Sequence, residues 1–308
     1  MTLDERIANL KSRLTHGVAP ALATPLAPDG VTVNTTAVPA LVDFLLARGV
    51  AGLFVGGTTG EGILLDPAER RRLHETAVSA AANRLPVVLH VGANRTDTAV
   101  ALAAHAAASG AAAIAAVTPT YYGMHDDALA SYYHAIAEAA PNLPLLLYDI
   151  PHMAVNGISP VLFARLGQTL PSLAGIKSSQ QNAQVIRAQI DAAPARAVVL
   201  VGNEAIALGS LALGAHGLIS GLSTAVPEPF VALTAAFGRG DLAAARAAQQ
   251  QINRLLPLLP AGARIGAIKQ ILAERGVDVG PAVPPRPMPT DPIWPRMAPI
   301  LGAAVENE

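Results

Sequence analysis

Residues 86–118 read PVVLHVGANRTDTAVALAAHAAASGAAAIAAVT. A short apolar run at 86–91 leads through Asn94, Asp97 and Thr98 into an Ala-rich segment. That segment breaks at Ser109-Gly110, and a second apolar run follows at 112–118. Both runs are continuously apolar rather than alternating, as expected of parallel strands covered on both faces. The segment between them carries a helix start signal, Asp97 or Thr98, and ends at a glycine suited to a left-handed cap. Strand, helix and strand in that order make a parallel βαβ unit.

The same alternation runs along the chain. Apolar runs occur at 18–24, 52–56, 86–91, 112–118, 144–150, 173–177, 197–201 and 217–220. Helix starts are signalled by Asn34-Thr35-Thr36, Asp66-Pro67, Asp126, Ser159-Pro160 and Pro227, and Gly49, Gly110, Gly167 and Gly214 lie near helix ends. Eight units predict an α/β fold closed as a (β/α)8 TIM barrel over 1–240, with an N-terminal helix at MTLDERIANLKSRL. An open doubly wound sheet is the other arrangement, because periodicity does not see closure. Beyond the eighth unit, 241–256, 263–275 and 291–301 read as extra C-terminal helices, and the Pro-rich stretch 280–292 as an extended linker. No second core is visible. The reading is a barrel with a C-terminal helical appendage, 241–308, packed on it as a single structural unit.

Of the 308 residues, 52% are hydrophobic and 14% charged, where about 25% charged is usual. So apolar a chain buries a large core and some subunit surface. The formal net charge of −1 provides no field for nucleic acid or an anionic membrane, and no basic cluster resembles a nucleic-acid footprint. Two stretches, 98–124 and 205–227, lack Asp, Glu, Lys and Arg. Gly and polar residues interrupt both, so each reads as a buried helix and strand rather than a membrane span. The absence of cysteine excludes disulfides and thiolate sites and fits a reducing compartment. The N-terminus has no apolar h-region, so the expected location is cytoplasmic.

Active sites of barrel enzymes lie at the C-terminal ends of the strands. The second run ends in Gly56-Gly57-Thr58-Thr59-Gly60-Glu61-Gly62, where successive N–H groups and two hydroxyls can cradle an anion. An ordinary Gly-rich turn has the same composition. The fourth run ends at Thr118-Pro119-Thr120-Tyr121-Tyr122 and the fifth at Tyr148-Asp149-Ile150-Pro151. Such tyrosines either face a site or cap the core with their rings. The sixth gives Leu173-Ala174-Gly175-Ile176-Lys177. A lysine there either snorkels to solvent or is buried, and burial lowers its pKa toward the neutral amine that attacks carbonyls. The other lysines, Lys11 and Lys269, fall on predicted helices. A neutral amine, a phenol and an anion cradle around one mouth suit 2-oxo acid chemistry.

These motifs, in this order and spacing, resemble the dihydrodipicolinate synthase / N-acetylneuraminate lyase family of class I, Schiff-base-forming aldolases, over nearly the whole chain. The resemblance implies that Lys177 forms the Schiff base with pyruvate or another 2-oxo acid. Tyr148 would relay protons and Thr58 would join that relay. Thr59, with Gly57 beside it, would help hold the carboxylate. Tyr121, favoured over Tyr122 by the register from Pro119, would match the tyrosine that reaches into a neighbouring subunit's site. Gly202 and Ile219 would line the pyruvate pocket. The family is commonly a homotetramer, a dimer of dimers, and the resemblance implies neither cofactor nor metal. The histidines are scattered without ligand spacing.

One position departs from the synthases. They place an arginine two residues after the proline of the tyrosine motif, where this chain has Met153. Methionine cannot pair with a carboxylate, and losing such a contact costs about 1.5–3 kcal/mol. Aspartate semialdehyde is therefore disfavoured as acceptor. Gly202-Asn203-Glu204 only partly matches the sugar-binding stretch of the sialic acid lyases. His152, Met153, Asn203, Glu204 and Ser220 form the expected specificity wall. The expected activity is a lyase that cleaves, condenses or dehydrates a 2-oxo(-3-deoxy) acid. Synthesis of 4-hydroxy-tetrahydrodipicolinate is the alternative, and non-catalytic 2-oxo acid binding or a metal-dependent aldolase are more remote.

Overall fold

In the computed structural model, which describes residues 1–302, each of the eight apolar runs contains a parallel strand. They are β1 (Val18–Pro20), β2 (Leu53–Val55), β3 (Val87–His90), β4 (Ala113–Val117), β5 (Leu145–Asp149), β6 (Leu173–Ser178), β7 (Val198–Val201) and β8 (Gly217–Ser220). Neighbours pair in sequence order from β2 to β8, and β8 pairs back onto β1. The seam between β1 and β2 is joined by an Ala21–Phe54 bridge and by Leu22 N–H donating to Phe54 O at 2.9 Å. The sheet is thus a barrel, not an open doubly wound sheet.

Around it lie α1 (Leu3–Leu14), α2 (Val38–Ala47), α3 (Pro67–Ala81), α4 (Thr96–Ala108), α5 (Asp126–Ala139), α6 (Pro151–Ala154), α7 (Pro160–Thr169), α8 (Ala183–Asp191), α9 (Ala207–Ala212) and α10 (Glu228–Gly238). The C-terminal helices are α11 (Leu242–Leu255), α12 (Arg264–Glu274) and α13 (Trp294–Leu301). The apolar stretch 98–124 divides into α4 and β4, and 205–227 into α9 and β8. Among the described residues no helix is long and apolar enough to cross a membrane.

Some local signals act differently from their reading. The α4 helix starts at Thr96, ahead of Asp97, and His125 rather than Asp126 caps α5. The Asn34 side chain holds a turn at Thr36, and α2 begins only at Val38. Tyr121 and Tyr122 lie beyond the end of β4, in the following loop.

The core has two layers. Leu53, Val55, Leu145, Leu147, Ile176, Val199 and Val201 face outward against the helices. Ala19, Phe54, Val88, Ala113, Ala115, Leu146, Tyr148, Ala174, Val198 and Leu200 fill the interior. Strand period 2 produces this split. On β6 the period is interrupted. Leu145 pairs with Leu173, but Leu146 pairs with Gly175, a register shift that leaves Ala174 over. Without this bulge the inward face of Ala174 would continue through Ile176 and turn Lys177 outward. With it, Ile176 faces the helices and Lys177 pairs with inward-facing Tyr148. Glycine is required at the bulge, because a Cβ on Gly175 would lie 2.1 Å from Val198 O.

The C-terminal helices pack back on the barrel, α11 against α9, α10 and α13. The chain after α12 then returns over the barrel mouth. Val279 O accepts from Leu26 N at 3.0 Å, and Val283 N–H donates to Glu61 at 2.9 Å. Residues 303–308 of the expected appendage lie outside the described residues.

Candidate active site

The Gly-rich sequence after β2 folds into a closed ring. Glu61 N–H donates to Thr58 O at 3.1 Å and Gly62 N–H to Gly57 O at 3.2 Å. A Cβ at Gly62 would sit 1.9 Å from Gly56 O, so no larger residue closes the ring this way. Among the described residues the N–H groups of Thr58 and Thr59 donate to nothing. Glu61 takes a left-handed conformation, φ 55°. Its buried carboxylate forms an ion pair with Lys269 of α12 at 3.1 Å, which ties the ring to the C-terminal helices.

Lys177 is 4% exposed. Its Nζ lies 4.1 Å from the ring centroid of Phe54 and 4.0 Å from that of Tyr148. Burial lowers its pKa, and Tyr148 and Glu204 work against that shift. The aromatic faces stabilise the cation, but they do not replace the water it has lost. The Tyr148 hydroxyl shares a hydrogen bond of 2.9 Å with Thr58 Oγ1. A phenol therefore connects the lysine to the threonine of the ring.

His90, at the end of β3, packs against Tyr148. Its ring meets that of Tyr148 edge-on at 5.9 Å. Val117 N–H donates to Nε2 at 3.2 Å, so the proton is on Nδ1, which donates to Gly56 O at 3.0 Å. This fixes a neutral tautomer, and burial first, then Arg70 and Lys177, hold the pKa well below the ordinary value. Arg70 is itself buried and caps carbonyls, donating to Gly92 O at 2.9 Å and His90 O at 2.7 Å.

A cavity of about 480 Å³ opens over Lys177. Thr58, Thr59, Tyr148, His152, Met153, Gly202, Asn203, Glu204 and Ile219 all line it. A second compartment of about 330 Å³ shares the Thr58–Tyr148 pair and is lined by Gly57 and His90 among others. Thr58, Tyr148, Ile150, Met153 and Arg286 face both compartments. Two candidates lie elsewhere. Ser220 is buried behind the wall and donates to Glu204 at 2.7 Å. Tyr121 is 79% exposed, with φ 79°, and stacks edge-on against Tyr122 at 5.0 Å, away from its own chain's cavity. Glu204 is fully engaged by Ser220, by Leu222 N–H at 2.8 Å and by Arg264.

Sequence reading missed several groups. His90 is the sole titratable residue at the end of its apolar run, so the strand-end rule that selects Lys177 would have selected it too. Phe54 looked like ordinary core. Arg264 and Arg286 belong to the appendage and its linker, and only the return of the chain over the mouth brings them to the cavity.

The site can be compared with known proteins. The profile of the dihydrodipicolinate synthetase family matches residues 14–294. A 4-hydroxy-tetrahydrodipicolinate synthase of Hyphomonas neptunium is 36% identical over 270 residues, covering 87% of this chain and 90% of the relative. An N-acetylneuraminate lyase of Mediterraneibacter gnavus is 30% identical over 278 residues, covering 89% and 88%. Among solved structures, the wild-type sialic acid aldolase of Ruminococcus gnavus superposes with a TM-score of 0.88 at 29% identity, over 94% of this chain and 97% of that one. A prophage protein of the dihydrodipicolinic acid synthase family from E. coli K12, solved in complex with pyruvate, superposes at 0.86 and 26% identity, over 92% and 97%. The chain with Lys177 at its barrel mouth is a lyase that belongs to the dihydrodipicolinate synthetase family.

Proposed function

We propose that Lys177 forms an imine with pyruvate or another 2-oxo acid, as the nucleophile of an aldolase or dehydratase. The observation that carries this is the position of its Nζ, buried between Phe54 and Tyr148 at the floor of an open cavity. The neutral amine attacks the keto carbon, and loss of water leaves the imine. The Tyr148 hydroxyl, bonded to Thr58, moves protons at the carbinolamine oxygen and at the leaving or incoming oxygen. The free N–H groups of Thr58 and Thr59 hold the substrate carboxylate. Gly202 and Ile219 shape the pocket, and a Cβ at Gly202 would lie 2.4 Å from Ser179 Oγ. His152, Met153 and Asn203 face the rest of the substrate, and Glu204 acts there through Arg264. Ser220 orients Glu204.

Borohydride treatment with pyruvate tests this reading. A reduced adduct on the Lys177 peptide, absent in Lys177→Ala, is the expected result. Wild-type protein that acquires no adduct rules the reading out.

A second reading, condensation of pyruvate with aspartate semialdehyde, draws support from the synthase relatives. Met153 stands where the synthases place their arginine, so the carboxylate of that aldehyde would need another partner, and a steady-state assay with it decides. We further infer a cytoplasmic homotetramer in which Tyr121 completes a neighbour's site, a reading supported by its exposure and its distance from its own cavity. Light scattering tests the assembly. The barrel and the helices from 241 onward act as one unit, a reading supported by the Glu61–Lys269 pair between them.

A further inference from the structure

The charges around the mouth do not balance, and the surplus is on a residue outside the barrel. Glu204 pairs with Arg264, and Glu61 pairs with Lys269 at 3.1 Å. Lys177 is driven toward its neutral form. Arg286 remains. Its closest carboxylate is Glu61, 3.7 Å from Nε and already neutralised by Lys269. Among the described residues neither Nη of Arg286 makes a hydrogen bond, and 35% of the side chain is exposed. Arg286 lines both compartments, as do Thr58, Tyr148 and Met153.

From this placement we propose that Arg286 is a specificity-determining residue that binds a second carboxylate on the substrate, remote from the one held by the Thr58-Thr59 ring. The inference rests on the proposed 2-oxo acid chemistry and names the substrate class. The acceptor aldehyde, or the distal end of the 2-oxo acid, carries a carboxylate. A guanidinium with a free edge matches a carboxylate in bidentate geometry. One surplus positive charge matches a monoanion, whereas a phosphate dianion would leave a charge unmatched. The backbone leading into Arg286 is held by Val283 N–H on Glu61 and by Arg286 N–H on Val283 O at 3.0 Å. Methionine at 153 adds no charge to the cavity, and Arg264, which also lines it, is paired with Glu204, so Arg286 is the cation left for the anion.

Titrating glutarate against butyrate tests the contact without catalysis. Wild type should bind glutarate roughly ten- to hundredfold more tightly, the range of one charge-assisted contact. Arg286→Gln should lose that preference with butyrate unchanged, and Arg286→Lys should retain part of it. In turnover with pyruvate, succinic semialdehyde should be preferred to butanal, and only the former should suffer in Arg286→Gln. Equal loss of butyrate and glutarate binding, or loss of pyruvate trapping in Arg286→Gln, would place Arg286 on the first carboxylate and overturn the proposal. Tighter binding of 3-phosphonopropionate than of glutarate would overturn the carboxylate assignment. Pyruvate trapping without a glutarate preference defeats this inference alone. A glutarate preference without trapping defeats only the imine.

Discussion

Lys177 carries opposite consequences for activity and for stability. At neutral pH a buried ammonium lacks the hydration it has in the unfolded chain, and that is the cause of its lowered pKa. Below the unfolded value the folded state binds this proton less readily, so the group opposes folding throughout the neutral range. Methionine has similar length and no charge. Lys177→Met should therefore abolish the pyruvate adduct and raise stability, within the range of about 0.5–2 kcal/mol usual for a stabilising substitution. Chemical unfolding of the two proteins side by side measures it, and a destabilised variant would mean that the contacts with Phe54 and Tyr148 outweigh desolvation. The identity of this residue was legible in the sequence, since lysine at the end of an apolar strand is costly unless used. The paired state of Glu204 was not. Its partners Ser220, Leu222 and Arg264 meet it only through the fold.

Strands and helices were largely countable because a closed parallel barrel needs continuous apolar runs, and these stand out against Ala-rich helices. Their phase was harder to read. A regular strand through Ala174 and Ile176 points Lys177 at the helices, and nothing in Leu173-Ala174-Gly175-Ile176-Lys177 marks a bulge except a glycine that has other common uses. The bulge depends on close backbone approach, with Val198 O where a side chain at Gly175 would begin. Gly175→Ala should shift β6 against β7, costing about 1–3 kcal/mol and sharply reducing adduct formation at an intact Lys177. Trapping yield and unfolding midpoint are the two measurements. A variant that traps pyruvate as wild type does would show that the lysine's direction does not depend on the bulge. The same limit explains Arg286. The Pro-rich stretch was read as linker from composition, and composition does not say where a linker crosses.

Over the whole molecule, the ion pair between Glu61 and Lys269 joins the Gly-rich ring to the C-terminal helices. Both side chains are fully buried, and Lys269 also donates to Pro281 O at 2.6 Å. Removing one member strands a charge. Lys269→Met should destabilise by about 3–5 kcal/mol, and adding Glu61→Gln should recover most of it, because an absent pair is less costly than a broken one. A urea-unfolding double-mutant cycle measures the coupling, and equal losses in single and double variants would refute it.

Two other buried groups add a pH dependence to stability. His74 is held down to about 3, chiefly by burial, with the His90 backbone working weakly against that shift. His90 is also held well below its ordinary value. The unfolded chain protonates both near pH 6.5, while the folded chain does not. Their contribution to stability is therefore complete above pH 6.5 and falls as pH drops below it, down to the folded values. Each histidine should remove roughly 1 kcal/mol for each pH unit in that window. Leucine at position 74 has nothing to protonate. His74→Leu should flatten the decline between pH 6.5 and pH 5 by about one proton's worth while leaving the His90 share intact. Urea unfolding at a series of pH values reads the slope directly, and a variant that declines as steeply as wild type would assign the acid sensitivity to other groups.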